Sequence, residues 1–422
     1  MTEKHQRELQ RRRLERNVNR TLLVGFFQVF LVIMPVAVPF FQSKGLTMQE
    51  VFSLQALFAL VVLITEVPSG YFADLLGRKS TLVVGSVIAA IGHTFLLGAE
   101  GFWSLAIFEI CLGLSHSLIS GADLALLYDT ELALGRSKDE QRRVVGKLYS
   151  ARTFSEAFAA LVCTAVMVFA SLEELVYVQV LVGWIPVILV LRIVEPPGER
   201  LASESHVNNM VVILRYLATH SPVLRLVVLA LSVWSLTTFY AVWLLQKVWE
   251  VQGIDIAHFG WLWGGLTLIA ALAGRYAHEV EDRFGAKAVL IFIGLIPAVG
   301  YLGMDAWGVV GGLIAASTFF VARGFGLVLL RDALNQRVPS EYRATANSLA
   351  SFGFRGAFVL TGPAIGYVFD LWGMGTTLAM LIVITLVIFA ALILPLVFAV
   401  KDQQAGEPVG GNQNTRIAFE KE

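Results

Sequence analysis

Charged residues are scarce in this sequence. Asp, Glu, Lys and Arg make up 15% of its 422 residues, whereas a soluble domain contains about 25%. Hydrophobic residues make up 56%. So little charge on so long a chain excludes an ordinary soluble protein and indicates one that crosses a membrane many times. The 32 basic and 32 acidic residues balance, so the sequence predicts no overall attraction to nucleic acid.

Cysteine and cofactor motifs are also nearly absent. The two cysteines, Cys111 and Cys163, lie inside apolar runs without the paired spacing of a disulfide or a metal site, and we expect them to be buried. The sequence contains no Walker loop, which argues against direct use of ATP. His278 and Glu279 begin a pattern similar to the H-E-x-x-H helix of zinc proteases, but Asp282 replaces the second histidine. We therefore expect no metal, no cofactor and no enzymatic activity.

Apolar runs of membrane-spanning length occur along the whole chain. A helix needs about 20 apolar residues to cross the hydrocarbon core of a bilayer. Proline and glycine inside such runs do not exclude a span, because transmembrane helices tolerate both. We predict twelve spans, at residues 21–42, 50–73, 80–99, 102–133, 147–170, 174–194, 223–247, 258–281, 287–305, 307–331, 344–369 and 373–400.

Basic residues are concentrated in alternate loops. With the N-terminus inside, the outer loops hold Lys44, Lys247 and little else that is basic. By the positive-inside rule, both termini are expected in the cytoplasm, most simply at a bacterial inner (plasma) membrane. The predicted organisation is a basic arm (1–20), a six-helix bundle (21–194), a cytoplasmic linker rich in Pro, Gly and Ser (195–222), a second six-helix bundle (223–400) and a cytoplasmic tail (401–422).

A short charged turn separates the second and third predicted spans. Its spacing is G-x-x-x-D-x-x-G-R-K, which resembles the signature of the major facilitator superfamily. That signature has a basic residue directly after the aspartate, where this chain has a leucine, so part of the family's charge network must differ here. The matching residues are Gly70, Asp74, Gly77, Arg78 and Lys79.

The second half of the chain repeats features of the first half in the same order. A second charged turn, with Asp282, Arg283, Gly285 and Lys287, follows the second span of its half. Asp129 after the fourth span has a counterpart in Asp332, and Arg152 in the fifth has a counterpart in Arg355. A parallel repeat is the architecture of the family that the turn resembles. The resemblance implies an all-α membrane protein with twelve transmembrane helices in two pseudo-symmetric bundles and a substrate site between them.

The charges at the inner ends of the spans form a candidate gate. In the resembled family, the acid of the signature turn and acids that end the fourth helix form a cytoplasmic charge lock. The resemblance implies that Arg78 and Asp129 form this lock here. The alternative is that these residues only anchor helix ends at the membrane interface. The candidate gating set is Gly70, Asp74, Gly77, Arg78, Lys79, Asp129, Asp282, Arg283, Gly285, Lys287 and Asp332.

Ionisable side chains inside the spans are candidates for proton coupling or substrate binding, since such groups normally face a cavity or a partner. Arg152 and Glu156 are four residues apart and can pair on one helix face. We favour Glu66 or Glu109 as the acid that binds the proton and Arg355 as a contact to substrate or counter-ion; the alternative is that each acid belongs to a permanent ion pair. The full candidate set is Glu66, Glu109, Asp123, Arg152, Glu156, Arg323 and Arg355, with Trp234 and Tyr240 as residues that stack on a substrate.

The sequence supports three hypotheses for function. The leading one is a secondary transporter that exports a small organic molecule, such as a drug, a metabolite or a siderophore, in exchange for protons. The second is a proton-coupled importer of an anionic solute, suggested by Arg323 and Arg355 deep in their spans. The third, from another class, is a membrane sensor or assembly factor that does not transport. The expected partners are a small-molecule substrate, protons and the lipid bilayer, and we expect a monomer.

Overall fold

The computed structural model describes residues 3–197, 215–217, 221–339 and 342–399. Every regular element in these ranges is a helix. The chain forms two compact units, the first comprising Met1–Glu204 with Asp255–Gly264 and the second comprising Ser205–Ile254 with Gly265–Glu422. The structure is therefore all-α.

The first unit is built from helices that begin at local capping signals. Thr47 with Glu50, Ser137 with Glu140 and Ser171 with Glu174 each form a capping box at a helix start. The helices are α1 (Glu3–Gln28), α2 (Ala37–Ser43), α3 (Met48–Leu76), α4 (Arg78–Phe95), α5 (Gly101–Ala133), α6 (Lys138–Phe169), α7 (Leu172–Gly183) and α8 (Ile185–Leu191), with short 3-10 turns at Met34–Val36 and Leu96–Gly98.

The first predicted span is broken. α1 begins inside the basic arm at Glu3 and ends at Gln28, and the chain becomes helical again only from Met34. Pro35 has no N–H, and its ring crowds the carbonyl four residues earlier in a continuous helix, which explains an interruption before it. The basic arm is thus a helical extension of the first span, and residues 21–42 do not form one uninterrupted helix.

The second unit contains the remaining helices, although the first residues of α11 belong to the first unit. The single span predicted at 258–281 is divided at Tyr276, whose φ of −95° and ψ of 9° end the helix, so that Arg275 closes one helix and a short charged one follows. The helices are α9 (Pro222–Leu229), α10 (Ser235–Val251), α11 (Phe259–Arg275), α12 (Ala277–Phe284), α13 (Ala286–Ala306), α14 (Gly308–Arg337), α15 (Arg343–Ile388) and α16 (Leu394–Ala399), with π-helical turns at Ala230–Trp234 and Phe389–Ile393.

Ten segments of the described chain are long and apolar enough to cross a membrane. The last of them, Thr345–Ala399, has 55 residues, more than twice the length of about 20 that one crossing needs. Gly373 interrupts it with a φ of 80° and a ψ of 177°. Division at Gly373, together with the broken first span, is consistent with the twelve predicted crossings.

Glycines bring the helices of each unit into close contact. A Cβ at Gly113 of α5 would lie 2.8 Å from Cγ1 of Val61 on α3. In the second unit, a Cβ at Gly274 of α11 would lie 3.5 Å from the carbonyl oxygen of Gly324 on α14. Lipid tails are as apolar as the side chains, so tight packing of this kind replaces the hydrophobic effect in holding membrane helices together.

The two charged turns of the repeat have the same backbone conformation. Gly77, between α3 and α4, has φ 91° and ψ 154°, and Gly285, between α12 and α13, has φ 82° and ψ 148°. Only glycine adopts this region without strain. Both turns therefore require the glycine that the sequence pattern places there.

Alanine substitution is expected to destabilise both turns to different extents. For Gly285→Ala, backbone strain alone predicts a decrease of about 1–3 kcal/mol in the free energy of unfolding, since a Cβ there would meet nothing within 4 Å. The loss is expected to be larger for Gly77→Ala, since its Cβ would lie 3.1 Å from Oε1 of Glu195. Thermal unfolding of the purified variants measures the difference, with Gly146→Ala, in the helical and open surroundings of α6, as the control. Equal melting temperatures for all three variants would contradict the prediction.

Candidate functional site

The charged turn of the first unit joins α4 to α5 through an ion pair. Gly77 ends α3 and lets α4 begin directly with Arg78 and Lys79. The Arg78 guanidinium forms a salt bridge with Asp129, near the end of α5, and both side chains are mostly buried at 23% and 17% exposure. Gly70 is exposed on α3. Asp74 lies in the last turn of α3, and its side chain is outside the described residues. The gating role of this pair stays a prediction.

The corresponding turn of the second unit has different partners. Asp282 and Arg283 lie in α12, and Arg283 stands over the ring of Phe284 at 5.6 Å. Lys287 lies in the first turn of α13. Asp332 on α14 accepts a hydrogen bond of 2.8 Å from the Gln336 side chain. The two halves thus share a backbone turn and differ in the contacts that their charged side chains make.

A buried acid lies beside this second turn. Glu281 is 4% exposed, and its Oε2 lies 3.5 Å from Nδ1 of His278, one turn earlier on α12. Burial raises the pKa of Glu281 above the ordinary carboxyl value of 4.5; the contact with His278 lowers it and the negative charges of Asp282 and Asp332 raise it further. The sequence pattern indicates His278, Glu279, Asp282 and Arg283 in this helix and does not identify the buried Glu281.

The raised pKa of Glu281 predicts a pH-dependent stability. A carboxyl group with a higher pKa in the folded protein contributes stability that is complete below its unfolded pKa and is lost as the pH rises through its folded pKa. Glu281→Gln removes this titration, so its melting temperature is expected to match the wild type near about pH 4, below the unfolded pKa, and to exceed it near about pH 8. Thermal scans across this range test the expectation, with the exposed Glu279→Gln as the control. A constant difference between wild type and Glu281→Gln at every pH would contradict it.

Three helices of the first unit bring together a buried ion pair. Asp123 on α5 is 0% exposed and forms a salt bridge with Nη2 of Arg152 on α6. The same nitrogen lies 3.3 Å from Oε1 of Gln28, the last residue of α1. Within the described part of the chain, Nε of Arg152 is buried without an acceptor. The sequence indicated Glu156 as a partner for Arg152, and the structure instead gives the guanidinium Asp123 and Gln28.

Another buried acid of the first unit pairs with an amide. Glu109 on α5 is 4% exposed, and its Oε1 accepts a hydrogen bond of 2.7 Å from Nε2 of Gln55 on α3. One hydroxyl pair, Thr65 with Ser117 at 2.8 Å, joins the same two helices further along. α3 and α5 therefore contact each other through polar side chains as well as through the close approach at Gly113.

The remaining charged candidates are distributed over α3, α6, α14 and α15. Glu66 is half-buried on α3, two residues before Pro68, and Glu156 is exposed on α6. Arg323 on α14 and Arg355 on α15 are half-buried in the second unit.

The two candidate aromatic residues are buried in the second unit. Trp234, 1% exposed, ends the π-helical turn and packs against Gly326 of α14. Tyr240, 3% exposed, shares a hydrogen bond of 2.6 Å with Thr361 of α15. Both rings thus take part in helix packing within this unit.

The sequence did not single out Gln28, Gln55 or Glu195. The first two are amides inside otherwise apolar runs, and that contrast was a usable signal. Glu195 was assigned to the predicted linker, but its carboxylate accepts the backbone N–H groups of Arg78 and Lys79. Among the described residues, no group of three or more His, Cys, Asp or Glu side chains could hold a metal ion.

The arrangement is suited to proton exchange and ion-pair switching. Glu109 and Asp123 are carboxyl groups inside membrane-spanning helices, each with one polar partner from another helix. A carboxyl group that moves between an arginine and apolar surroundings releases and binds a proton in turn.

Comparison with known proteins identifies the family. The family model of the Major Facilitator Superfamily matches residues 21–304, more than half of the chain. No curated protein matches the sequence.

Solved structures with the same fold are transporters. A nucleoside transporter, NupG, is 12% identical with a TM-score of 0.72, over 91% of this chain and 99% of its own. A bacterial homologue of the human lysosomal transporter Spinster, crystallised inward-facing and unoccupied, is 14% identical with a TM-score of 0.72. The match covers 90% of this chain and 96% of the homologue. A D-xylose-proton symporter is 15% identical with a TM-score of 0.64, over 87% and 95%. At such identities the likeness shows the fold, and with the family match and the membrane-spanning helices it leads to one conclusion: the chain is a polytopic membrane transporter that belongs to the Major Facilitator Superfamily.

Proposed function

We propose that this protein is a proton-coupled secondary transporter that moves a small organic molecule across the membrane by alternating access. The observation that carries the proposal is the Asp123–Arg152 ion pair with Gln28, buried between α1, α5 and α6. Ionised side chains inside membrane-spanning helices are costly and normally serve a transport pathway or a proton relay. An ion pair of this kind is an unusual choice for helix packing alone.

The proton would be exchanged at the carboxyl groups of the first unit. Protonation of Asp123 would release the Arg152 guanidinium, whose Nε already lacks an acceptor among the described residues. A released guanidinium can bind a carboxylate, a phosphate or a polar oxygen of the solute. Glu109, held by Gln55, is the second carboxyl group that we place in the relay, and Glu66 is the third.

The orientation and assembly belong to the same proposal. We place both termini and the linker at 195–222 in the cytoplasm, on the basic residues of the inner loops. In this orientation the Arg78–Asp129 pair lies at the inner end of the first unit and would close the inner gate when the transporter faces outwards. We further propose a monomer in a bacterial inner membrane, with 21–194 and 223–400 as the two bundles.

Export is the direction that we propose first, because the chain combines the buried acids Glu109 and Asp123 with a hydrophobic content of 56% and an aromatic content of 11%, which suits a drug-like or siderophore-like solute. Import of an anionic solute is the second candidate. It is favoured by the largely buried guanidinium of Arg152, a group that binds carboxylates and phosphates. The D-xylose-proton symporter among the structural neighbours is named as a symporter, so the fold is compatible with proton symport.

Flux through proteoliposomes with an imposed pH gradient tests the proposal. Candidate solutes come from a growth screen of a deletion strain against toxic compounds and nutrients. Solute that moves in the same direction as the protons supports import by symport, and solute that moves in the opposite direction supports export by antiport. Absence of gradient-dependent flux for every solute that the strain responds to would contradict proton-coupled transport and favour a membrane sensor or assembly factor.

A further inference from the structure

The segment that follows α8 is bound to the start of α4. Oε1 of Glu195 accepts a hydrogen bond of 2.9 Å from the backbone N–H of Arg78, and Oε2 accepts one of 2.8 Å from the N–H of Lys79. The first N–H groups of a helix have no partner within the helix, and a carboxylate there is favoured by the helix dipole. Gly77 has no side chain to cap α4. Glu195 therefore accepts the hydrogen bonds of these two N–H groups, although it is 117 residues from Arg78 and 116 from Lys79 along the chain. In other helices a local N-cap residue has this role.

Two further contacts hold this segment in place. The side-chain amide of Asn17 on α1 donates to the carbonyl of Val194 at 2.6 Å, and its oxygen accepts from the Val194 N–H at 3.0 Å. Arg20 donates to the carbonyl of Arg192. Ile193 is 1% exposed and packs in the core of the first unit. Glu195 is thus presented to α4 by a rigid stretch of chain, at the point where the predicted linker begins.

Arg78 connects Glu195 to Asp129. Its backbone N–H donates to Glu195, and its guanidinium forms the salt bridge with Asp129 on α5. The conformation of the first turn of α4 decides where the guanidinium lies. Loss of the Glu195 cap would leave two helix N–H groups without their acceptor and would let this turn fray.

We propose that Glu195 is a positioning residue for the Arg78–Asp129 pair: it fixes the first turn of α4 and so connects the start of the linker to this pair. The inference rests on the proposed function, in which the pair belongs to the inner gate. A displacement of Glu195 would then change the strength of the pair. A residue that merely caps α4 would stabilise the helix without affecting Asp129, and the two cases differ in a measurable coupling.

Amide hydrogen exchange of the full-length protein in detergent tests the cap. Loss of a charged hydrogen bond at each N–H predicts exchange at Arg78 and Lys79 that is faster by about 10- to 100-fold in Glu195→Gln than in wild type. Peptides that cover the start of α4 report this change by mass spectrometry. Unchanged exchange at both amides would overturn the proposal, because the carboxylate would then not hold the turn.

A double-mutant cycle tests the connection to Asp129. Glu195→Gln and Asp129→Asn are measured singly and together by thermal unfolding. If Glu195 positions Arg78, the decrease in melting temperature of the double variant should be clearly smaller than the sum of the decreases in the two single variants. This coupling acts through Arg78 and needs no direct contact between Asp129 and Glu195. This departure from additivity should disappear when the cycle is repeated in the Arg78→Ala background, which lacks the guanidinium that links the two sites. Additive losses would overturn the proposal and leave Glu195 as a simple helix cap.

Glu174→Gln provides the matched control. Glu174 also accepts a hydrogen bond of 2.7 Å from a backbone N–H at a helix start, that of Ser171. The helix that it caps is α7, which contains neither Arg78 nor Asp129. Its cycle with Asp129→Asn should be additive. None of these measurements uses a solute, so failure of the flux assay would contradict proton-coupled transport while the coupling between Glu195 and Asp129 could still be observed.

Discussion

Replacement of Asp123 by alanine is expected to lower the free energy of unfolding by about 3–5 kcal/mol, since it leaves the buried Arg152 guanidinium without its counter-charge. Asp123 is 0% exposed and Arg152 is 20% exposed, so water compensates little of the loss. Among the described residues, Gln28 is the partner that remains beside the guanidinium, and an amide oxygen does not neutralise its charge. Thermal or denaturant unfolding in detergent measures the change.

Removal of both charges is expected to restore most of the lost stability. Asp123→Leu combined with Arg152→Met replaces the ion pair with apolar side chains, which is often neutral for a buried pair. The pair between Arg136 and Glu140 is the control, because its side chains are 43% and 41% exposed and Glu140→Gln should lower the melting temperature much less than Asp123→Ala does. A double variant as unstable as Asp123→Ala would show that the pair is not what makes the single substitution harmful.

Replacement of Glu109 by glutamine is expected to abolish accumulation driven by a pH gradient while solute exchange without a gradient continues. Glutamine keeps the shape of the side chain and can still bond to Gln55, but it cannot bind and release a proton. A transporter that has lost its coupling acid still alternates between its two states when solute is present on both sides. Flux of the solute found in the growth screen, measured in proteoliposomes with and without the gradient, separates the two activities.

Two variants complete this experiment. Glu100→Gln alters an exposed carboxylate beside the start of α5 and should leave both activities unchanged. Glu66→Gln, assayed in the same way, tests the other acid favoured by the sequence. If both Glu109→Gln and Glu66→Gln keep the wild-type pH dependence, neither residue couples the proton, and Asp123 becomes the acid to test.

The turn between α3 and α4 shows how much of a functional region a sequence can predict. The pattern from Gly70 to Lys79 predicted a tight turn with basic residues at the start of a helix, and the structure has it there. The repeat predicted the same turn at Gly285, and the two glycines have nearly equal dihedral angles. Such turns are local: the steric limits on a few consecutive residues decide them.

The partners of the buried charges were beyond the sequence. Arg152 and Glu156 have the spacing of a helical pair, yet Arg152 contacts Asp123, 29 residues earlier, and Gln28, 124 residues earlier. Spacing along one helix shows which side chains share a face. It does not show which neighbouring helix supplies the counter-charge, because that depends on how the helices pack.

The sequence by itself determined that this chain is a helical membrane protein built as a repeat, since hydropathy, the positions of basic residues and glycine turns are properties of short segments. Only the tertiary structure decided that Glu281 is buried and that Glu195 binds the first turn of α4. Each of these depends on residues far apart in the chain that meet only when the helices have packed, and no pattern within one segment records such a meeting.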